Sequence, residues 1–163
     1  LDPCPRLRSQ QSDPSVATRI AAIACDEHVR WQRPFIDTDG RVAHQPAYEA
    51  ESRGLDDGGS PWRRVAMYWR TAGLLGQVGY RAGATDCGFL SNPSYPGLAC
   101  RGFVVDTPWS GTFVSWVMQR AGVPRFASSS GHFDYVRAAR VGAAGSPYLF
   151  LDPASVAPGV GDL

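Results

Sequence analysis

Residues 105–124, Val-Asp-Thr-Pro-Trp-Ser-Gly-Thr-Phe-Val-Ser-Trp-Val-Met-Gln-Arg-Ala-Gly-Val-Pro, decide the reading of this chain. Thr107 is placed to cap a helix, Pro108 suits a first helical position, and Gly122 with Pro124 marks the stop. Ser110 then falls in the first turn, where backbone N–H groups lack intrahelical acceptors and the helix dipole favours developing negative charge. Phe113, Val114, Trp116, Val117 and Met118 leave almost no polar face, so the helix is expected to be wrapped by the rest of the domain. A buried helix that presents a hydroxyl at its N-terminus is a scaffold for nucleophilic chemistry. The competing reading makes Ser110 a helix cap or a small packing residue.

Two flanking blocks extend the pattern: Glu27-His28-Val29-Arg30-Trp31 with Pro34-Phe35-Ile36-Asp37 upstream, and Gly131-His132-Phe133-Asp134-Tyr135 downstream. The segment Pro108-Trp109-Ser110-Gly111-Thr112-Phe113-Val114 resembles the Pro-Trp-Cys-Ala-Ala-Phe-Val segment of the CHAP and NlpC/P60 papain-like amidases and peptidases, with Ser110 in the place of the cysteine. With the flanking blocks, residues 16 to 163 more closely resemble the bacterial family DUF2272. The resemblance implies an α+β fold of the papain-like NlpC/P60 type, in which a central buried helix packs against a small antiparallel sheet. It also implies amide hydrolysis in peptide or peptidoglycan substrates outside the cytoplasm, with N–H groups near residues 109–111 holding the oxyanion and Trp109 shaping the pocket wall.

A serine is a weak nucleophile without a base to take its proton. His132 is the best base within the chain, because its helix follows the Ser110 helix after a short turn. Asp106 and Asp134 are the carboxylates considered for orienting an imidazole, although Asp134 lies only two residues from His132 on a helix. Asp106 has the competing role of stabilising a helix dipole. The expected site is thus Ser110, His132 and Asp106 for catalysis, with Trp109, Gly111 and Asp134 toward substrate. In the NlpC/P60 and CHAP patterns, a turn like Pro158-Gly159-Val160-Gly161-Asp162-Leu163 precedes strands that carry the histidine base. Three readings of that missing histidine stay open: a domain truncated here that continues beyond Leu163 or is completed by a protein partner or second chain, a family member that works without the residue, or one that does no chemistry. The alternative function is a binding module that keeps the fold without the chemistry and holds a cell-wall peptide, a glycan or a protein.

Composition narrows the remaining classes. The 163 residues are 44% hydrophobic, enough for one domain with a core. An irregular arm is expected over 1–13 and a single domain over 14–163. Sixteen basic residues, all arginine, balance fifteen acidic ones, which disfavours nucleic acid as a partner. No apolar run reaches the roughly 18 residues a membrane-spanning helix needs. Neither the three histidines nor the four cysteines have metal-ligand spacing, and no cofactor motif is present. Asp37, Asp39 and Gly40 match the opening of a calcium loop, but no glutamate follows at the required distance.

The cysteines read better as disulfides. Asn92-Pro93 and Pro96-Gly97 would bring Cys87 and Cys100 together, and Cys4 could pin the arm to a helix bearing Cys25. The predicted pairs are Cys4–Cys25 and Cys87–Cys100, which argues for a periplasmic or secreted bacterial protein. Helices are expected from Asp13 to about Arg30, from Pro61 to Ala72 and from Ser128 to Val141. A tight turn is expected at 37–40, a long loop from Gly73 to Gly102, a short apolar lead at 103–105, and a strand at 148–151.

Overall fold

The computed structural model describes residues 2–142 and 144–162. Their order is α1 (Cys4–Leu7), α2 (Val16–Arg30), β1 (Phe35–Ile36), β2 (Val42–His44), α3 (Pro61–Thr71), α4 (Leu98–Asp106), α5 (Ser110–Arg120) and α6 (His132–Arg140), with 3-10 turns at Leu75–Val78 and Thr85–Ser91. Helices with one two-stranded antiparallel sheet make this an α+β protein. The chain divides into two compact units: Glu27–Trp109, and the residues up to Asp26 together with those from Ser110 onward.

In the unit containing Ser110, α2 starts at Val16 rather than Asp13. The Asp13 carboxylate accepts the Ser15 N–H at 2.8 Å in a turn, and the Ser15 hydroxyl accepts the Thr18 N–H at 3.3 Å, so Ser15 does the capping. The arm is not wholly irregular, since α1 forms in it and is tied to α2 by the Cys4–Cys25 disulfide and by an Arg8–Asp26 ion pair at 2.8 Å. Arg19 donates to the carbonyls of Ala121 and Asp13, each at 2.8 Å, joining α2 to the end of α5. Gly122, at φ +69°, ends α5, with the Val123 N–H returning to the Met118 carbonyl at 3.0 Å.

Three expectations fail for identifiable reasons. The α5 helix opens at Ser110 itself. A residue before proline is pushed toward extended backbone, so Thr107 adopts φ −123°, ψ 119° and closes α4 instead of capping α5. The last helix begins at His132, not Ser128, because the Ser129 backbone is bonded to the Ser115 hydroxyl rather than to a helical turn. Residues 148–151 form no strand: among the described residues no neighbouring strand pairs with them, and Leu149, Phe150 and Leu151 are exposed.

In the other unit, Pro61 opens α3 at its first helical position, where a missing N–H costs nothing. Trp62, Val65, Ala66, Tyr68 and Trp69 are buried, and Trp69 meets Phe103 of α4 edge-on with centroids 5.2 Å apart. The stretch expected as a loop to Gly102 instead holds the two 3-10 turns and the start of α4. Gly97 makes that start: its φ is +68°, and a Cβ there would lie 2.8 Å from both Leu90 and Trp62 side chains. Cys87–Cys100 closes the segment as expected, and a bridge over a loop of this length contributes about 3 kcal/mol by restricting the unfolded chain.

The sheet is the β1–β2 hairpin around the expected Asp37–Gly40 turn. The Asp37 carboxylate accepts the N–H groups of Asp39 at 3.0 Å and Arg41 at 2.8 Å. All five strand residues are exposed. No helix among the described residues is long and apolar enough to cross a membrane.

Candidate functional site

Ser110 is the first residue of α5 and is exposed, while Gly111, Thr112 and Ser115 through Met118 behind it are buried. The hydroxyl is therefore held at the open end of a well-packed helix. His132 is likewise the first residue of α6 and exposed. The two meet, with Ser110 Oγ 2.8 Å from His132 Nε2.

Two features of sequence bring these helix starts together. The first is Gly111, where an added Cβ would lie 2.5 Å from the Ser130 carbonyl oxygen and 3.2 Å from the Gly131 nitrogen. Only glycine lets the opening turn of α5 approach the backbone that leads into His132. The second is a serine staple. Ser115 Oγ is fully buried, donates to the Ser129 carbonyl at 2.8 Å and accepts the Ser129 N–H at 3.0 Å. Ser129 Oγ in turn accepts the Gly131 N–H at 3.1 Å and donates to the Asp134 carboxylate. Gln119 adds a bond to the Ser128 hydroxyl at 2.8 Å. Satisfied, largely buried hydrogen bonds of this kind rigidify the segment they tie.

The second imidazole nitrogen is also occupied. His132 Nδ1 bonds the Tyr135 hydroxyl, one helical turn along α6. With Nδ1 carrying the proton and donating to the phenol oxygen, Nε2 turns its lone pair to Ser110, the arrangement a general base requires. Burial raises the Tyr135 pKa above its ordinary 10.0, so the phenol stays neutral. Tyr135 packs against Phe126 with centroids 5.6 Å apart, and Phe126 against Tyr148 edge-on at 5.4 Å, which locks the ring.

Of the other expected residues, Asp134 and Trp109 have partners of their own. Asp134 accepts from Ser129, and the group bonded to the imidazole Nδ1 is the Tyr135 hydroxyl. Asp106 is the exposed last residue of α4, in the other unit, at the end of the helix where the dipole does not favour a carboxylate. Trp109 belongs to that unit too, stacked on Trp31 at 5.5 Å and on Tyr68 at 6.0 Å. His28 Nε2 is bonded to the Pro34 carbonyl at 3.0 Å, and His44 lies exposed on β2. No cluster of three or more His, Cys, Asp or Glu with metal-binding geometry occurs among the described residues.

Residues 56–163 match the family model described as an uncharacterized protein conserved in bacteria (DUF2272). The chain belongs to the DUF2272 family. No curated protein and no solved structure matches it. The DUF2272 match contains the whole constellation just described, from Ser110 and Gly111 through Ser115, Ser129, His132 and Tyr135.

Outside the match lies Glu27, which anchors a buried polar network in the other unit. Glu27 is 2% exposed, is forked by Arg64, and accepts the Tyr68 hydroxyl, which itself accepts the Trp31 indole N–H at 3.0 Å. Burial, and then the Glu27 charge, drive the Tyr68 pKa far above the ordinary tyrosine value. Burial works against the Arg64 charge, but the bond to Glu27 and its charge outweigh it, and the Arg64 pKa rises.

Sequence reasoning missed Tyr135, although its signal was present as His-x-x-Tyr at a helix start, a spacing that puts both side chains on one face. It also missed the staple, because Ser115 and Ser129 are fourteen residues apart and carry no recognisable motif.

Proposed function

We propose that this protein hydrolyses amide bonds in peptide or peptidoglycan substrates outside the cytoplasm, with Ser110 as nucleophile and His132 as base. One observation carries the reading: the 2.8 Å contact between Ser110 Oγ and His132 Nε2. In the attack, Ser110 Oγ bonds the scissile carbonyl carbon while Nε2 takes the hydroxyl proton. The carbonyl oxygen gains the charge and is met by N–H groups at the opening of α5, which have no partners within the helix. The imidazolium then returns the proton to the departing amine as the C–N bond breaks. A water activated by the same Nε2 frees the acyl group and regenerates Ser110. The Tyr135 hydroxyl accepts from Nδ1–H throughout and keeps the imidazole in the productive tautomer.

The resemblance of residues 108–114 to the NlpC/P60 and CHAP nucleophile segment supports this chemistry and a papain-like arrangement. The two disulfides support an oxidising, extracytoplasmic location. Ser110→Ala is expected to lower turnover of a peptide or peptidoglycan fragment by roughly a thousandfold or more, with an unchanged thermal midpoint. Turnover retained in that variant would rule the nucleophile out.

One feature favours a second reading, a binding module using the same surface: the group on Nδ1 is a neutral phenol, which stabilises an imidazolium less than a carboxylate does. Ser110→Cys separates the two. A functional base generates a thiolate that alkylates rapidly at neutral pH, whereas a binding surface leaves an ordinary thiol.

A further inference from the structure

Tyr135 joins the candidate dyad to a cleft. Its hydroxyl bonds His132 Nδ1, and the same residue lines a cleft of about 500 Å³, with Val136 and Ala139 of α6 on its side and Tyr148, Phe150 and Leu151 on the facing segment. That volume falls within the range of small-molecule sites. Most side chains of the lining are apolar. Its one charged residue, Asp162, already accepts the Gly159 N–H at 2.7 Å. The Tyr148 hydroxyl is buried without a hydrogen-bond partner, which leaves one donor for an acceptor atom of a ligand. Val136, Phe150 and Leu151 remain 40% to 51% exposed, and Leu149 81%, so the walls are built of apolar surface still open to water. A ligand that covers them gains by its own apolar area.

We propose that this cleft receives the apolar group of the substrate, an aliphatic acyl chain or aromatic side chain carried next to the carbonyl that Ser110 attacks. The inference rests on the Ser110–His132 reading and deepens it by naming the substrate class: amides bearing a sizeable apolar group on the acyl side. Selectivity then comes from the cleft, at about fourfold per methylene that it covers.

Alkyl fluorophosphonates test this on the full chain. Ser110 Oγ bonds phosphorus, fluoride leaves, and His132 takes the hydroxyl proton, so the rate of mass gain at Ser110 reads the nucleophile while the alkyl group reads the cleft. An ethyl and a decyl reagent are compared below the micelle concentration. The decyl reagent is expected to modify Ser110 at least thirtyfold faster, by the per-methylene factor taken over only the first few carbons. That ratio should fall toward one in Val136→Asp and in Leu149→Asp, the second being so exposed that folding is undisturbed. Ser110 modified equally by both reagents overturns the cleft assignment and leaves the nucleophile standing. A ratio that persists in both variants overturns it as well. A ratio of one together with dimerisation that Leu149→Asp abolishes would assign the apolar face to a second copy of the chain. Ser110 untouched by either reagent overturns the nucleophile reading, and this inference with it.

Discussion

At the scale of single residues, a serine and a histidine twenty-two positions apart are useful only if the imidazole presents the right nitrogen. The Tyr135 hydroxyl bonds Nδ1, and as the acceptor of an Nδ1 proton it would leave the Nε2 lone pair to Ser110. Tyr135→Phe leaves the ring packed on Phe126 but removes the acceptor, so kcat is expected to fall on the order of tenfold, the cost of one hydrogen bond, with KM unmoved. A rise in KM without loss of kcat would make Tyr135 a wall of the substrate site and nothing more. Ser110 and His132 were legible because a small polar residue at a helix mouth and a histidine at the next helix start are local signals. The carboxylate of Asp134 turns to Ser129, because proximity in sequence to His132 says little about which face a side chain takes.

At the scale of elements, the site depends on how closely the opening of α5 approaches residues 130–131, and Gly111 sets that distance. In an ordinary helix, glycine to alanine gains up to about 1 kcal/mol. Here the new Cβ would lie 2.5 Å from the Ser130 oxygen, so Gly111→Ala should instead lose about 1–3 kcal/mol in denaturant unfolding and at least tenfold in turnover. A stabilised, fully active variant would contradict this account of the approach. The α2, α3 and α5 helices were readable from apolar spacing and from their proline and glycine punctuation. The α4 helix was not: Gly97 starts it, Gly102 in its middle lowers its propensity, and its nine residues are held by packing against α3 and by the Cys87–Cys100 bridge. Residues 148–151 have the composition of a strand, but a strand needs a partner to take its backbone bonds, and these residues pair with none of those described.

At the scale of the whole molecule, both units bury tyrosine hydroxyls, and this gives stability a pH dependence of known sign. Burial raises the pKa of Tyr68 in one unit and of Tyr135 and Tyr148 in the other above the ordinary 10.0. The folded chain therefore holds these protons more tightly than the unfolded chain does. Their contribution is fully present below pH 10 and is lost progressively above it. Alkaline titration should show phenolate absorbance from these residues rising together with loss of the helical circular dichroism signal; smooth ionisation of all six tyrosines in a protein that stays folded would refute it.

The pairing of the cysteines followed from turn residues and spacing. The division of the chain at 26/27 and 109/110 had no marker in composition, since no linker separates the units and one helix, α2, runs through the first boundary. Activation of Ser110 by His132 is read by the rate at which a small fluorophosphonate adds to Ser110 in the unaltered chain and in His132→Gln, followed by intact mass and peptide mapping. A single adduct should form on Ser110, at least a hundredfold more slowly without the imidazole. An unmodified Ser110, or equal rates in the two proteins, would contradict it.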